Sequence, residues 1–231
     1  MSGEVNADFD RLKIRYLVEG ELVCDSLLHI GAAEATSSTL DNPVIRVKVD
    51  GRDVPYIPGS SLKGSLRAEA ERIARGSGLS VCLPPVKVCE KEACVVCRLF
   101  GSKSLAAHVR ISDALPLEEN VSTLVKPGVA IDRVLGSVFP GHLYNVEAVS
   151  RGTRFKFRMV IENIDLEGNS EEAKLLKAIL KELVDGNIQI GGKKSTGMGA
   201  VRLENMTIKK ISVNDLLSGG KGVEVKVLEG A

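Results

Sequence analysis

Thr153 to Ile161 alternates strictly: Phe155, Phe157, Met159 and Ile161 are apolar, while Arg154, Lys156 and Arg158 between them are basic. An extended chain puts every second side chain on one face, so the segment reads as a strand with one buried face and one cationic face. Residues 11 to 18 repeat the pattern, with Leu12, Ile14, Tyr16 and Val18 set against Arg11, Lys13 and Arg15. Two helices stand out beside these strands. Pro58-Gly59-Ser60 precedes Leu62, Leu66, Ala70 and Ile73 at helical spacing, with a serine cap and a stop at Gly76. Asn169-Ser170 precedes Leu175, Leu176, Ile179, Leu180 and Leu183, with Gly186 as the stop. A short strand at Ile188 to Ile190, a glycine-rich loop and a strand from Ala200 to Lys209 follow. The order strand, helix, strands, strand, helix, strand is the split βαβ plan of the ferredoxin-like α+β fold, read here as one elaborated domain over residues 1–231. Val223, Val225 and Val227, beyond the Gly219-Gly220 break, predict an added edge strand.

Two stretches are too long to be ordinary loops in this plan: residues 30–54 and residues 77–152. Insertions of that length are usually functional lobes. The core must be aliphatic, because aromatic residues are only 3% of the chain and tryptophan is absent. That composition argues against a platform of several stacked aromatic side chains, and any nucleic-acid binding would lean on backbone and charge. A net charge of +1 excludes a polycationic tail or an acidic disordered chain. The charge is nevertheless uneven. Residues 126–160 carry six cations against two acids, and residues 161–186 carry three cations against seven acids. One face could hold a polyanion, or the charges could simply be solvated. Met1 to Asp10 is polar and acidic, unlike a signal peptide, and no apolar run approaches the roughly 20 residues of a membrane helix. The expectation is a cytoplasmic chain with no membrane partner.

Four of the five cysteines, Cys82, Cys89, Cys94 and Cys97, fall within sixteen residues. Four soft anionic ligands on a compact segment suit a structural Zn²⁺ site; a redox pair, a disulfide or plain buried thiols are the alternatives. His108 could replace one cysteine, and Cys24 is left for the core. Tyr56 to Arg67 (YIPGSSLKGSLR) feeds a turn into a helix start rich in hydroxyls, a place that attracts phosphate. It is not a Walker loop, because Ser65 follows Gly64 where lysine is required. Lys63 and Arg67, four apart, could reach a nucleic-acid backbone; the alternative is ordinary helix-surface pairing of Arg67 with Glu71 and of Glu71 with Arg75. Gly191 to Gly199 (GGKKSTGMG) sets glycines that permit close backbone approach beside two lysines, or else is a flexible turn. His29, His108 and His142 show no metal-pair spacing, and no GxSxG elbow is present, which disfavours a serine-hydrolase triad. Asp41, in TLDNPV, is either a loop acid with a chemical role or a turn-former before Pro43.

Taken in order, Tyr56 to Arg67, Cys94 to Gly101 (CVVCRLFG), Val129 to Arg133 (VAIDR), Glu147 to Phe157 and Gly191 to Val201 resemble the RAMP superfamily. The similarity runs from Leu12 to about Lys209 and is strongest to the repeated backbone subunit of type III CRISPR effector complexes. The resemblance implies an RRM-like, modified ferredoxin-like palm, an insertion at 30–54 carrying Asp41, a zinc-stabilised lobe at 77–117 on Cys82, Cys89, Cys94 and Cys97, and a thumb hairpin at 118–152. It implies head-to-tail stacking of copies into a filament along a guide CRISPR RNA that pairs with complementary target RNA, with other subunits of the complex beside them. By the same resemblance, Ser60, Ser61, Lys63, Arg67, Arg133, Gly191, Gly192, Lys193, Lys194, Ser195, Gly197 and Gly199 are RNA contacts, with Arg133 at the thumb root. Asp41 is the acid of a Mg²⁺- or Mn²⁺-dependent target cleavage by 2′-hydroxyl attack. A non-catalytic assembly subunit and a guide-processing endoribonuclease are the competing readings.

Overall fold

A computed structural model describes residues 9–32, 41–83, 89 and 93–228. In chain order the elements are β1 (Ile14–Cys24), β2 (Arg46–Val49), β3 (Arg52–Pro55), α1 (Gly59–Gly76), α2 (Val95–Phe100), β4 (Val109–Ile111), β5 (Thr123–Ile131), β6 (Val138–Val149), β7 (Arg154–Glu162), α3 (Glu171–Val184), β8 (Ile188–Gln189), β9 (Ala200–Ser212), α4 (Val213–Ser218) and β10 (Val223–Glu224). The main sheet runs β10-β9-β1-β7-β4, with β8 also on β9, and every pairing in it is antiparallel. β1 and β4, joined through α1, are therefore parallel with β7 between them; β7 and β9, joined through α3, bracket β1. This mixed α/β arrangement is the split βαβ plan read from the element order. No helix among the described residues is long and apolar enough to cross a membrane.

Alternation decides which face of the sheet is covered. Phe155, Phe157, Met159 and Ile161 of β7 join Tyr16, Val18 and Leu22 of β1 and Val201 and Leu203 of β9 in one core. Leu62, Leu66, Ala70 and Ala74 of α1 and Leu175, Leu176, Ile179, Leu180 and Leu183 of α3 close it from above. Cys24 lies in this core as expected, and burial pushes its thiol up to about 12.

On the other face the basic stripe of β7 does not stand free. Arg154 pairs with Glu21 at 3.0 Å and Arg158 with Glu19 at 3.9 Å, and the register sets Lys156 opposite Glu21. The local cationic count thus overstated this face, because the acids that answer it come from β1, more than 130 residues away. Cross-strand pairs of this kind favour a closed charge pattern over an open polyanion platform.

Capping differs between the two helices. Ser170 accepts a hydrogen bond from Ala173 N–H at 3.2 Å and caps α3 as expected. No serine caps α1, however; the N-cap position is Pro58, two residues before Ser60, and the helix begins at Gly59, whose N–H donates to Asp113 Oδ1 at 2.7 Å. Ser60 and Ser61 consequently sit inside the first turn. β1 starts three residues later than the apolar pattern suggests and runs six further; between Glu19 and Glu21 its register with β9 shifts, so that Gly20 faces both Asn205 and Met206 of a bulge in β9. The tail returns to the sheet as β10, pairing Val223 and Glu224 with Lys210 and Lys209.

Both insertions carry secondary structure. Residues 30–54 form most of the β2–β3 hairpin, while residues 33–40, including Leu40 of the aspartate loop, lie outside the described residues. Residues 77–117 hold the cysteines and α2 and also give β4 to the main sheet, and residues 118–152 fold mainly as the β5–β6 hairpin, a separate two-stranded sheet.

Candidate nucleic-acid interface and metal centre

The base of β6 organises the first cluster. Leu28 and Val149 exchange backbone hydrogen bonds, Asn42 N–H donates to Asn145 O at 3.2 Å, and Glu147 N–H donates to Asn42 O at 2.9 Å. Asn145 N–H in turn donates to Asp41 Oδ2 at 2.8 Å. The aspartate is exposed, and among the described residues its Oδ1 receives no hydrogen bond. Asp41 therefore does not close a turn on its own neighbours; it is fixed by a strand that lies 104 positions further along the chain.

Beneath the aspartate loop, Glu147 is only 5% exposed. Arg46 clamps its carboxylate with both guanidinium ends, and Val44 N–H donates to Oε2 at 3.0 Å. The Arg46 contact, acting against burial and helped by Val44 and Thr123, holds the Glu147 carboxyl down to about 2. This charge lock fixes residues 44–46 and so the exit from the aspartate loop. His29 Nδ1 lies 2.7 Å from the Glu147 carbonyl on the same strand.

The glycine-rich loop docks on the other side of His29. Gly192 N–H donates to His29 O, and Gly199 N–H donates to Leu27 O, both at 2.8 Å. A β-carbon on Gly191 would lie 2.3 Å from His29 O, and one on Gly199 would lie 2.1 Å from Ile190 O. Both residues also have positive φ, so only glycine fits either place. Between them, Lys193 adopts a left-handed conformation and places Nζ 4.8 Å from the centre of the Tyr144 ring. Lys193 and Asp41 thus engage adjacent residues of β6, Tyr144 and Asn145. Gly192, Lys193, Lys194, Ser195 and Gly197 are exposed around them.

Tyr144, Asn145, Glu147, Arg46 and His29 are the residues that sequence reading alone did not assign. A signal was present for Glu147, a lone acid within the apolar run Val146 to Val149. Nothing local marked the others.

At the start of α1, Ser60 is exposed, while Ser61 and Lys63 are half-buried; burial, then the neighbouring Arg67, pushes the Lys63 ammonium down. Asp113 already holds the Gly59 N–H, so one donor of the expected anion site is taken. Arg67 departs further from expectation. Its Nε donates to Glu71 at 3.1 Å, Nη1 to Gly101 O at 2.8 Å and Nη2 to Cys97 Sγ at 3.5 Å. Glu71 also pairs with Arg75, so the helix-surface alternative is the one that forms. Arg133 is not at the root of the hairpin but at its tip: Ile131 pairs with Val138, which makes residues 132–137 the connecting turn. Asp132 shapes that turn by accepting from Val134 N–H and Leu135 N–H.

The four cysteines converge. Cys82 and Cys97 sulfurs lie 3.3 Å apart, Cys94 and Cys82 sulfurs 3.8 Å apart, and all four Sγ atoms fall within 4.8 Å of one another. Four thiolates at about 2.3 Å from one tetrahedral ion would be about 3.8 Å apart, so the set fits Zn²⁺. All four are free thiols, and the group closes without His108. Burial works against ionisation here, yet hydrogen bonds from the backbone of Cys82 and Cys97 bring the Cys94 thiol down to about 7.

Comparison with known families decides the affiliation. The model of the RAMP superfamily matches residues 21–202. The chain belongs to this superfamily. The matched span of this RAMP protein contains Asp41, all four clustered cysteines and the glycine-rich loop. Three relatives bear the name CRISPR system Cms endoribonuclease Csm3. The one from Methanocaldococcus jannaschii is 34% identical over 212 residues, covering 85% of this chain and 82% of the relative. That from Methanothermobacter thermautotrophicus is 28% identical, covering 87% and 88%. The Enterococcus italicus protein is 30% identical, covering 76% and 83%.

Proposed function

We propose that this RAMP protein is a guide-RNA-binding backbone subunit of a type III CRISPR effector complex, and that it cleaves complementary target RNA at Asp41. The observation that carries the reading is the convergence on β6, where an exposed carboxylate and an exposed lysine on a glycine loop are anchored to neighbouring residues. The names of the Csm3 relatives support it.

In this reading the chain is one elaborated domain over 1–231, with an RRM-like palm, the Asp41 insertion at 30–54, a lobe at 77–117 closed by structural zinc on Cys82, Cys89, Cys94 and Cys97, and a thumb at 118–152. Ser60, Ser61, Lys63, Gly191, Gly192, Lys193, Lys194, Ser195, Gly197 and Gly199, with Arg133 at the hairpin tip, hold the RNA through its backbone. Backbone contacts fix position and leave sequence unread, so any guide is accepted. Copies associate head to tail along the guide, beside other subunits, in the cytoplasm.

Cleavage is an in-line displacement. The ribose 2′-oxygen forms a bond to the adjacent phosphorus as the bond to the 5′-oxygen breaks, and the hydroxyl proton leaves while the 5′-oxygen gains one. Asp41 is the hard oxygen donor that would hold Mg²⁺ or Mn²⁺, which supplies charge stabilisation at the phosphate when bound. Lys193 adds positive charge on the other side of Tyr144 and Asn145. Chemistry of this kind depends on held geometry and charge more than on a strong base. Two of the three histidines do not favour a guide-processing enzyme that uses histidine as acid and base: His29 and His108 are buried, each with Nδ1 2.7 Å from a backbone carbonyl, while His142 is exposed on β6 with Nδ1 3.1 Å from Pro140 O.

The test uses the purified effector complex, radiolabelled RNA complementary to its guide, and Mg²⁺ or Mn²⁺. Wild type is expected to give a ladder of evenly spaced products, and Asp41→Ala to give none while retaining the RNA. A ladder from the variant sinks the assignment of Asp41; no ladder from either protein, with RNA bound, leaves a scaffold subunit.

A further inference from the structure

Arg67, Glu71 and Arg75 lie four residues apart on α1, which stacks them in one row along the helix. The row faces the cysteine cluster. Arg67 donates to Cys97 Sγ at 3.5 Å and to Gly101 O at 2.8 Å, while Arg75 donates to Cys82 O at 3.0 Å. Glu71 sits between them and accepts from both arginines, at 3.1 and 3.2 Å. Each arginine is thus aimed at one end of the cysteine segment by the same carboxylate.

We propose that this row is the outer shell of the four-cysteine metal centre, and that Arg67 is the residue that sets how tightly the centre holds its ion. The inference rests on reading that cluster as a metal site. Four thiolates around one divalent cation carry a net charge of about −2, and a fixed cation beside them offsets the excess. Arginine suits the task because its guanidinium stays protonated and presents N–H groups in a rigid fork. Here the fork straddles α2: one prong meets the sulfur of Cys97 within the helix, and the other meets the carbonyl of Gly101 just past its last residue, Phe100. That carbonyl belongs to the negative end of the helix, so both prongs work in the same electrostatic direction. An N–H donated to a bound thiolate also withdraws charge from the sulfur, which the metal–sulfur bond registers directly.

Arg72 provides the internal control. It lies on the same helix but pairs with Glu69 at 2.6 Å, and its side chain is 75% exposed.

The test uses the purified full-length chain, with Zn²⁺ content measured first, then Zn²⁺ affinity by competition with a colorimetric chelator. Arg67→Met, Arg67→Lys and Glu71→Gln are compared with wild type and with Arg72→Met. The Arg67 variants are expected to lose roughly 10- to 100-fold in affinity, with Glu71→Gln at the lower end and Arg72→Met unchanged. Lysine keeps the charge without the fork, so Arg67→Lys serves should the methionine variant fail to fold. Co²⁺-loaded protein gives a readout that general loosening would not move: the sulfur-to-metal charge-transfer band should shift to lower energy once the N–H donor is gone. A wild-type chain that binds no Zn²⁺ overturns the metal reading itself. Wild type holding Zn²⁺, with Arg67 variants within threefold of its affinity or with an unmoved Co²⁺ band, overturns this inference alone.

Discussion

Glu147 shows what a single buried charge contributes here. Its carboxylate has Arg46 and the Val44 N–H as partners, and its neighbours Val146, Ala148 and Val149 are all buried. Replacing it with glutamine removes the charge but leaves the desolvated site, so Glu147→Gln should cost roughly 2 to 3 kcal/mol, read from urea midpoints at pH 7. The sign of the pH effect follows from the direction of the shift. Arg46 holds the folded carboxyl at about 2, below the ordinary value of 4.5, so its contribution is complete above 4.5 and disappears as pH falls from 4.5 through 2. Wild-type stability should therefore decline more steeply than that of Glu147→Gln across this window; parallel curves would show that the pair adds nothing. Motif reading could find Asp41 because its context is local, in Leu40 to Pro43. It could not find the anchors, because hydrogen bonds from Asn145 and clamps between Arg46 and Glu147 join positions about a hundred residues apart, and no period in the sequence encodes them.

Elements with one covered face were legible in proportion to how strictly they alternate. β7 and α3 were readable almost to the residue, because every second or every third to fourth side chain is buried. β5 and β6 were not, since most of their side chains are exposed on both faces and leave no pattern of burial to read. The start of α1 was misjudged because its first N–H, that of Gly59, donates to Asp113, which lies 54 positions further along the chain, rather than to a serine beside it. The glycine loop, by contrast, was visible in composition, and its rigidity can be tested. Gly199→Ala would drive a β-carbon to 2.1 Å from Ile190 O at a φ of +88°, whereas Gly197, at a φ of +85°, has nothing within 4 Å. Both changes carry the left-handed penalty of roughly 1 kcal/mol, but only the first also breaks the docking of the loop on Leu27. Gly199→Ala should thus lower stability by about 2 kcal/mol or more beyond Gly197→Ala and weaken RNA binding, as measured by thermal melting and filter binding. Equal losses would mean that the loop yields at no cost.

The whole molecule divides into a well-buried sheet with its helices and a hairpin that leaves it. Among the strands of the described residues β5 pairs with β6 in a sheet of their own, and the hairpin is held at its base by isolated bridges, where Leu28 pairs with Val149 and Asn42 with Val146. At the far end Val134 is 93% exposed and Leu135 77% exposed, so these side chains bury almost nothing within the chain. Apolar residues presented together at an exposed tip mark a surface that another molecule covers. In the proposed filament that cover is RNA or the next copy, so stability and function should separate at the tip. Changing Val134 and Leu135 to serine together should leave the melting free energy within about 0.5 kcal/mol of wild type, since these side chains bury little against the described residues. The same double change should fade the cleavage ladder of the assembled complex, because the tip no longer displaces or packs against its partner while Asp41 remains in place. A ladder of undiminished intensity would remove the hairpin from the mechanism. A large drop in stability would instead show that the tip is packed within its own chain, which its exposure argues against.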